Sequence, residues 1–215
     1  SYSVGGGGGY GGSGAFYLSG RGGEAYGRAD DPWQPGSGGC YRPLYYGSRS
    51  KPGGGAIRIE MSGSVTVDGI ISASGPNCTS GGTGGSGGGI AVYCQTFSGA
   101  TSGWIRATGG TGANEGGSGG GGRIAVILTA GNDVGDVKLR SASFARGQPG
   151  AAGTIYTETP GQGPGKGTLR VDAEGITPGA LSSTMIGSQV TDTTVGNVII
   201  TNNARLVVTN QTLYV

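Results

Sequence analysis

The sequence contains no histidine. That absence removes the commonest general base, the commonest proton shuttle and the commonest metal ligand near neutral pH. Charge is scarce: 14 basic and 12 acidic residues among 215, for a formal net charge of +2. Nothing in that pattern points to a nucleic-acid partner, which wants clustered Lys and Arg. The longest unbroken apolar run is Ile124–Leu128, far short of the roughly 20 residues a membrane helix needs, so no membrane insertion is expected. Cysteines number three and never occur as Cys-x-x-Cys, which leaves neither a redox motif nor a zinc knuckle. Apolar side chains make up 34% and aromatics 7%, too little for a conventional side-chain core to hold the chain alone. No leader of the secretory type heads the sequence, so Ser1 is expected to begin a mature chain or a fragment.

What the sequence has instead is glycine, 53 residues of it, with 9 prolines. That proportion without a triplet period usually means disorder. Here it alternates with apolar segments that repeat. GGGAIRIEMSGSVTVDGIISASG at 53–75, GGGIAVYCQTFSGATSGWIRATGG at 87–110 and GGGRIAVILTAGNDVGDVKLRSAS at 120–143 align with one another. Ile57, Ile90 and Ile124 head the first strand of each, and Ile71, Ile105 and Leu139 mark a later one, a period of about 34 residues. Within each unit apolar residues alternate with polar ones, as in a strand with one buried face. A fixed period of this kind means stacked units. Equivalent strands then lie side by side, about 4.8 Å apart, with aliphatic ladders pointing inward.

The stretches between strands, such as GPNCTSGGTGGSGGG at 75–89 and GGTGANEGGSGGGG at 109–122, are poor strands, because glycine packs no side chain. They suit extended polyproline-II-like helices, three residues per turn and about 3.1 Å per residue, whose bare backbones bond laterally. The expected fold is therefore all-β: a parallel β-solenoid with stacked polyglycine-II arms, plus a C-terminal β-rich portion. Non-glycine arm residues are expected at the surface or ends of that layer. Three regions follow: a Gly/Tyr-rich region at 1–52, the solenoid repeats at 53–157, and the β-rich portion at 168–215.

The order GGGGGYGGSG, GGEAY, YGSRSKPGGGAIRI, GSVTVDGIISASG, GGTGGSGGGIAVY, GGSGGGGRIAVIL, GAAGTIY, spanning about residues 4–157, resembles a group of glycine-rich extracellular repeat regions found in large surface proteins. By composition the arms also resemble those of glycine-rich phage tail-tip adhesins and springtail antifreeze proteins. The first resemblance implies a cell-surface or secreted location and a structural or adhesive role. It implies no catalytic residues.

Chemistry-bearing residues are few. Asp68 and Asp136 fall two repeats apart with Ser102 between them, so no acid pair of the glycosidase kind can be argued. Asp30-Asp31 precede Pro32 and suit either a calcium site or an ordinary turn. No enzymatic activity, cofactor or metal is expected. The cysteines Cys40, Cys78 and Cys94 are candidates for a disulfide, with any of three pairings open and one thiol left over. Asn77 and Asn210 head sequons and are glycosylation candidates. Tyr45, Tyr46 and Trp33 belong to an aromatic-rich segment, and Trp104 takes an outward strand position; with Val207 and Tyr214 near the C-terminus, these are interface candidates. The expected role is a non-catalytic structural subunit of an extracellular filament, sheath or surface appendage, assembling as a homo-polymer through its solenoid ends. The alternative is an adhesin or carbohydrate-binding module that holds glycans with the Tyr/Trp-rich segment 10–46.

Overall fold

The computed structural model describes residues 5–16, 20–40, 50–79, 81–113, 116–144, 146–186, 193–209 and 212–215. Tyr45, Tyr46 and Asn210 lie outside the described residues. The fold is all-β, with one turn of 3-10 helix at Pro160–Gln162 among the described residues. The first rung comprises β1 (Ala56–Glu60), β2 (Ser64–Thr66) and β3 (Ile70–Ser72). The second comprises β4 (Gly89–Cys94), β5 (Thr96–Ser98) and β6 (Trp104–Arg106). The third contributes β7 (Arg123–Leu128) and β8 (Lys138–Arg140), and β9 (Thr154–Glu158) opens a fourth.

Counterparts in successive rungs pair in parallel, in the register the repeat predicts. Ile57 lies beside Ile90, Ile90 beside Ile124 and Ile124 beside Ile155. Ile71, Ile105 and Leu139 form the second ladder. The result is a parallel β-solenoid of about four turns with roughly 33-residue spacing. Ile90, Val92, Ile124 and Val126 are fully buried and cluster with Phe97 of β5, Ile105 of β6 and Val137 just before β8. Each such side chain contributes about 1.5–3 kcal/mol.

Beside the strands lies the glycine layer. The segment 81–89 is bonded laterally to six others: 5–9 (Gly8 N–H to Gly84 O), 34–37 (Ser86 N–H to Ser37 O), 53–54 (Gly54 N–H to Ser86 O), 73–75 (Gly88 N–H to Ala73 O), 107–113 (Gly110 N–H to Gly85 O) and 116–122 (Gly84 N–H to Gly117 O). This is a hexagonal packing of extended backbones, in which most of the lateral bonds run from backbone to backbone. At many of its glycines a side chain would collide with a neighbouring backbone. A Cβ on Gly119 would stand 2.0 Å from Gly85 O, and one on Gly121 only 1.6 Å from Ser141 O. The expectation that non-glycine residues lie at the margins fails for Thr83, Ser86 and Ser118, all fully buried within the layer. Their hydroxyls substitute for lateral backbone donors: Thr83 Oγ1 donates to Cys40 O (2.8 Å), Ser86 Oγ to Gly9 O (3.2 Å) and Ser118 Oγ to Arg146 O (2.7 Å).

After β9 the chain reverses. Strand β10 (Thr168–Asp172) pairs antiparallel with β9, and β13 (Asn197–Thr201) then pairs in parallel with β10. The six-stranded sheet therefore runs β1-β4-β7-β9-β10-β13, with its last two strands in the opposite sense. The C-terminal portion adds two small parallel sheets, β11 (Thr184–Ile186) with β14 (Leu206–Val208) and β12 (Thr193–Thr194) with β15 (Leu213–Tyr214). Ile186, Val195 and Leu169 from this portion pack with Ala125 and Tyr156 on the back of the large sheet.

Candidate functional site

Two surfaces and one buried centre stand out. The first surface is the open end of the solenoid. Strands β1, β2 and β3 are edge strands, each with a partner on one side only among the described residues. Ile57, Ile59, Val65 and Ile71 are only half-buried, whereas their neighbours one rung in, Ile90, Val92, Phe97 and Ile105, are buried. The outward face of β1 carries an ion-paired group: Arg58 contacts Glu60 and Asp31, with Nη1 2.6 Å from Asp31 Oδ1. Tyr93 donates to the same oxygen at 2.7 Å. Burial acts to raise the Asp31 carboxyl, but the bonds from Tyr93 and Arg58 outweigh it and hold it below the usual range. The Tyr93 hydroxyl is pushed up by burial and by its bond to Asp31.

The other end differs. The free edge of β8 is blunted, because Arg170 Nη2 donates to Leu139 O at 3.1 Å. No comparable guard covers the β1–β3 edge among the described residues. The last strand of the large sheet, β13, exposes Ile199 and Ile200.

The second surface is the outer face of the sheet β3-β6-β8. In register across it stand Ile70, Trp104 and Lys138 in one column and Ser72, Arg106 and Arg140 in the next. Trp104 is half-buried. The Arg106 guanidinium lies 4.5 Å from its ring centroid and Lys138 Nζ lies 5.0 Å from it. Arg140 pairs with Glu174 at 2.6 Å.

The buried centre is Arg123. It occupies the position held by Ala56, Gly89 and Thr154 in the other rungs, and it is fully buried. Nε donates to Tyr26 O (2.9 Å), Nη1 to Thr154 Oγ1 (3.0 Å) and Nη2 to Met185 O (3.0 Å). All three acceptors are neutral, and burial pushes its pKa down to about 10. The Tyr10 ring lies 5.7 Å away, and burial pushes the Tyr10 hydroxyl up to about 12 despite the opposing charge of Arg123. Sequence reasoning missed this residue. Its one signal was a large cation in GGGGRIAVIL where the two aligned repeats carry alanine (Ala56) and glycine (Gly89).

The remaining candidates scatter. No disulfide joins the described residues, which corrects the disulfide expectation for Cys40, Cys78 and Cys94. Cys94 is on the inward face of β4, in register with Leu128, and its thiol is buried in the apolar core. Burial raises its pKa. Cys78 is buried in the glycine layer, and Cys40 is exposed. Asn77 is exposed, and its Oδ1 accepts from Thr111 N–H at 2.8 Å. Trp33 is 60% exposed and Tyr214 52%, whereas Val207 is half-buried in β14, beside Met185. Asp30 is paired with Arg28 and Asp31 with Arg58, and no metal-holding group of three side chains occurs among the described residues. No described helix is long and apolar enough to cross a membrane.

No family profile, curated protein or solved structure matches the chain.

Proposed function

We propose that the chain is a non-catalytic structural subunit of an extracellular filament, sheath or surface appendage, built by end-to-end association of its solenoids. The observation that carries this reading is the open first rung, where half-buried Ile57, Ile59, Val65 and Ile71 border a row of backbone donors and acceptors that no described strand pairs. An exposed edge of this kind recruits another strand. The occupant is a second copy, because the large sheet ends in two five-residue edges, β1 and β13, and β13 presents exposed Ile199 and Ile200. Contact between unlike ends does not close and yields filaments.

The glycan reading for segment 10–46 draws less support. Tyr10 is fully buried, and Tyr26 is half-buried with its hydroxyl donating to Pro35 O at 2.6 Å. Both rings serve the interior. An extracellular location rests on the resemblance of the repeats and on the sequons.

Electron microscopy of the purified chain over a concentration series tests the assembly reading. Regular polymers whose length grows with concentration are expected. A single monomeric species in sedimentation at the highest concentration would refute it.

A further inference from the structure

The outer face of β3-β6-β8 carries more positive charge than the described residues neutralise. Arg106 and Arg140 stand directly opposite each other in register, with Lys138 in the adjoining column. Like charges placed opposite on a sheet repel. Among the described residues Arg140 has one carboxylate, Glu174. The side chains of Arg106 and Lys138 have no ion pair and no hydrogen bond among the described residues, their contacts being with the Trp104 ring. The Nε atoms of Arg106, Arg140 and Arg170 are buried with no hydrogen-bond partner. Buried donors left unmet cost stability, so this row of guanidiniums is incomplete as it stands.

A groove of about 470 Å³ opens at Trp104 and Lys138 and runs past Leu139 and Ile155 to Arg170 and Ile199. That volume lies in the range of ligand sites. It shares Trp104 and Lys138 with the outer face that carries Arg106 and Arg140.

We infer that this face binds an acidic polysaccharide, a linear sugar chain carrying carboxylates, with Arg106, Lys138 and Arg140 taking the carboxylates and the groove taking sugar rings. Guanidinium forks match planar carboxylates. Cations repeated at the rung spacing of about 4.8 Å suit a polymer with a charge on successive units better than a single small anion. A nucleic acid fits less well. Arg106 and Lys138 already occupy the Trp104 ring, which leaves no platform for base stacking. This site is separate from segment 10–46 and does not depend on assembly.

Calorimetric titration with polygalacturonate, dextran and a thymidine oligonucleotide decides the matter. Polygalacturonate is expected to bind, more weakly as salt is raised, and dextran is expected not to bind. Lys138→Gln is expected to weaken binding several-fold without moving the melting temperature, because Lys138 is exposed. Arg106→Gln with Lys138→Gln is expected to weaken it at least tenfold. Equal binding of dextran overturns the proposal. So does oligonucleotide binding as tight as that of polygalacturonate, or parental affinity in Lys138→Gln. Repeating the titration with an Ile59→Lys variant, blocked at the open end, separates binding from assembly.

Discussion

Arg123 and Tyr26 are joined across 97 positions of sequence, the Arg123 Nε donating to the Tyr26 carbonyl at 2.9 Å. The same guanidinium reaches Thr154 in the neighbouring rung and Met185 in the C-terminal portion. One buried cation therefore ties together the N-terminal segment, the solenoid sheet and the C-terminal strands, using neutral acceptors only.

Arg123→Ala is expected to destabilise by about 1–3 kcal/mol for each buried acceptor it leaves unmet, with a further cost for the lost packing. It opens a cavity and leaves two carbonyls and a hydroxyl without their donor. Arg123→Met keeps most of the volume and is expected to lose less. Urea denaturation of both variants measures the difference. Hydrogen exchange is expected to show segments 20–29 and 182–186 opening first in the alanine variant.

The glycine layer makes a sharper demand. Gly119→Ala forces a methyl group against Gly85 O at 2.0 Å and is expected to destabilise by about 3 kcal/mol or to prevent folding, beyond ordinary overpacking. Gly69→Ala serves as the control, because nothing lies within 4 Å of a Cβ there. Its expected effect is within about 0.5 kcal/mol. Thermal melts of the two variants compare them directly.

At the open rung, Ile59→Lys is expected to shorten or abolish polymers while leaving the monomer folded, because Ile59 is only half-buried. Ile105→Lys places a charge in the closed core and is expected to unfold the chain. Electron microscopy with circular dichroism separates the two outcomes. Polymers of parental length in Ile59→Lys would remove this rung from the interface.

Alkali is expected to unfold the chain above pH 10. Burial raises the hydroxyl of Tyr10 to about 12 and also raises those of Tyr93 and Tyr156, the latter two further pushed up by bonds to Asp31 and Glu158. With each folded pKa above its unfolded value, the unfolded state loses these protons first. Stability from these groups is complete below about pH 10 and is lost as pH rises through the folded values. Arg123, held down at about 10, works in the opposite direction but is one group against three. Tyrosinate absorbance and circular dichroism are expected to change together, rather than ionisation preceding unfolding.

Much of the architecture is legible in the sequence, because it rests on periodicity. Ile57, Ile90 and Ile124 recur at a near-constant interval, and alternation within each strand assigns their inward face before any packing is known. The lateral bonding of the glycine runs follows from the same logic, since buried amides without side chains must bond to one another. The chain reversal after β9 is not legible, because PGQGPGKG specifies a turn without its direction. The buried Thr83, Ser86 and Ser118 escape notice because a hydroxyl that replaces an amide donor leaves no trace in periodicity. Cys94 reads as a disulfide candidate by type, yet its inward strand position makes it part of the aliphatic ladder. The role of Arg123 depends on Tyr26 and Met185, which no local pattern places beside it.

A protein whose interior is partly bare backbone should respond to temperature unlike one with an aliphatic interior. Exposing apolar surface raises the heat capacity of unfolding, and exposing amides lowers it. Unfolding the layer around 81–89 exposes mostly amides, so the heat-capacity increment per residue should fall below the usual 12–15 cal/mol/K or so. The stability curve is then broad and shallow. Such a chain keeps its strength in the cold, where proteins that rely on hydrophobic burial begin to lose theirs.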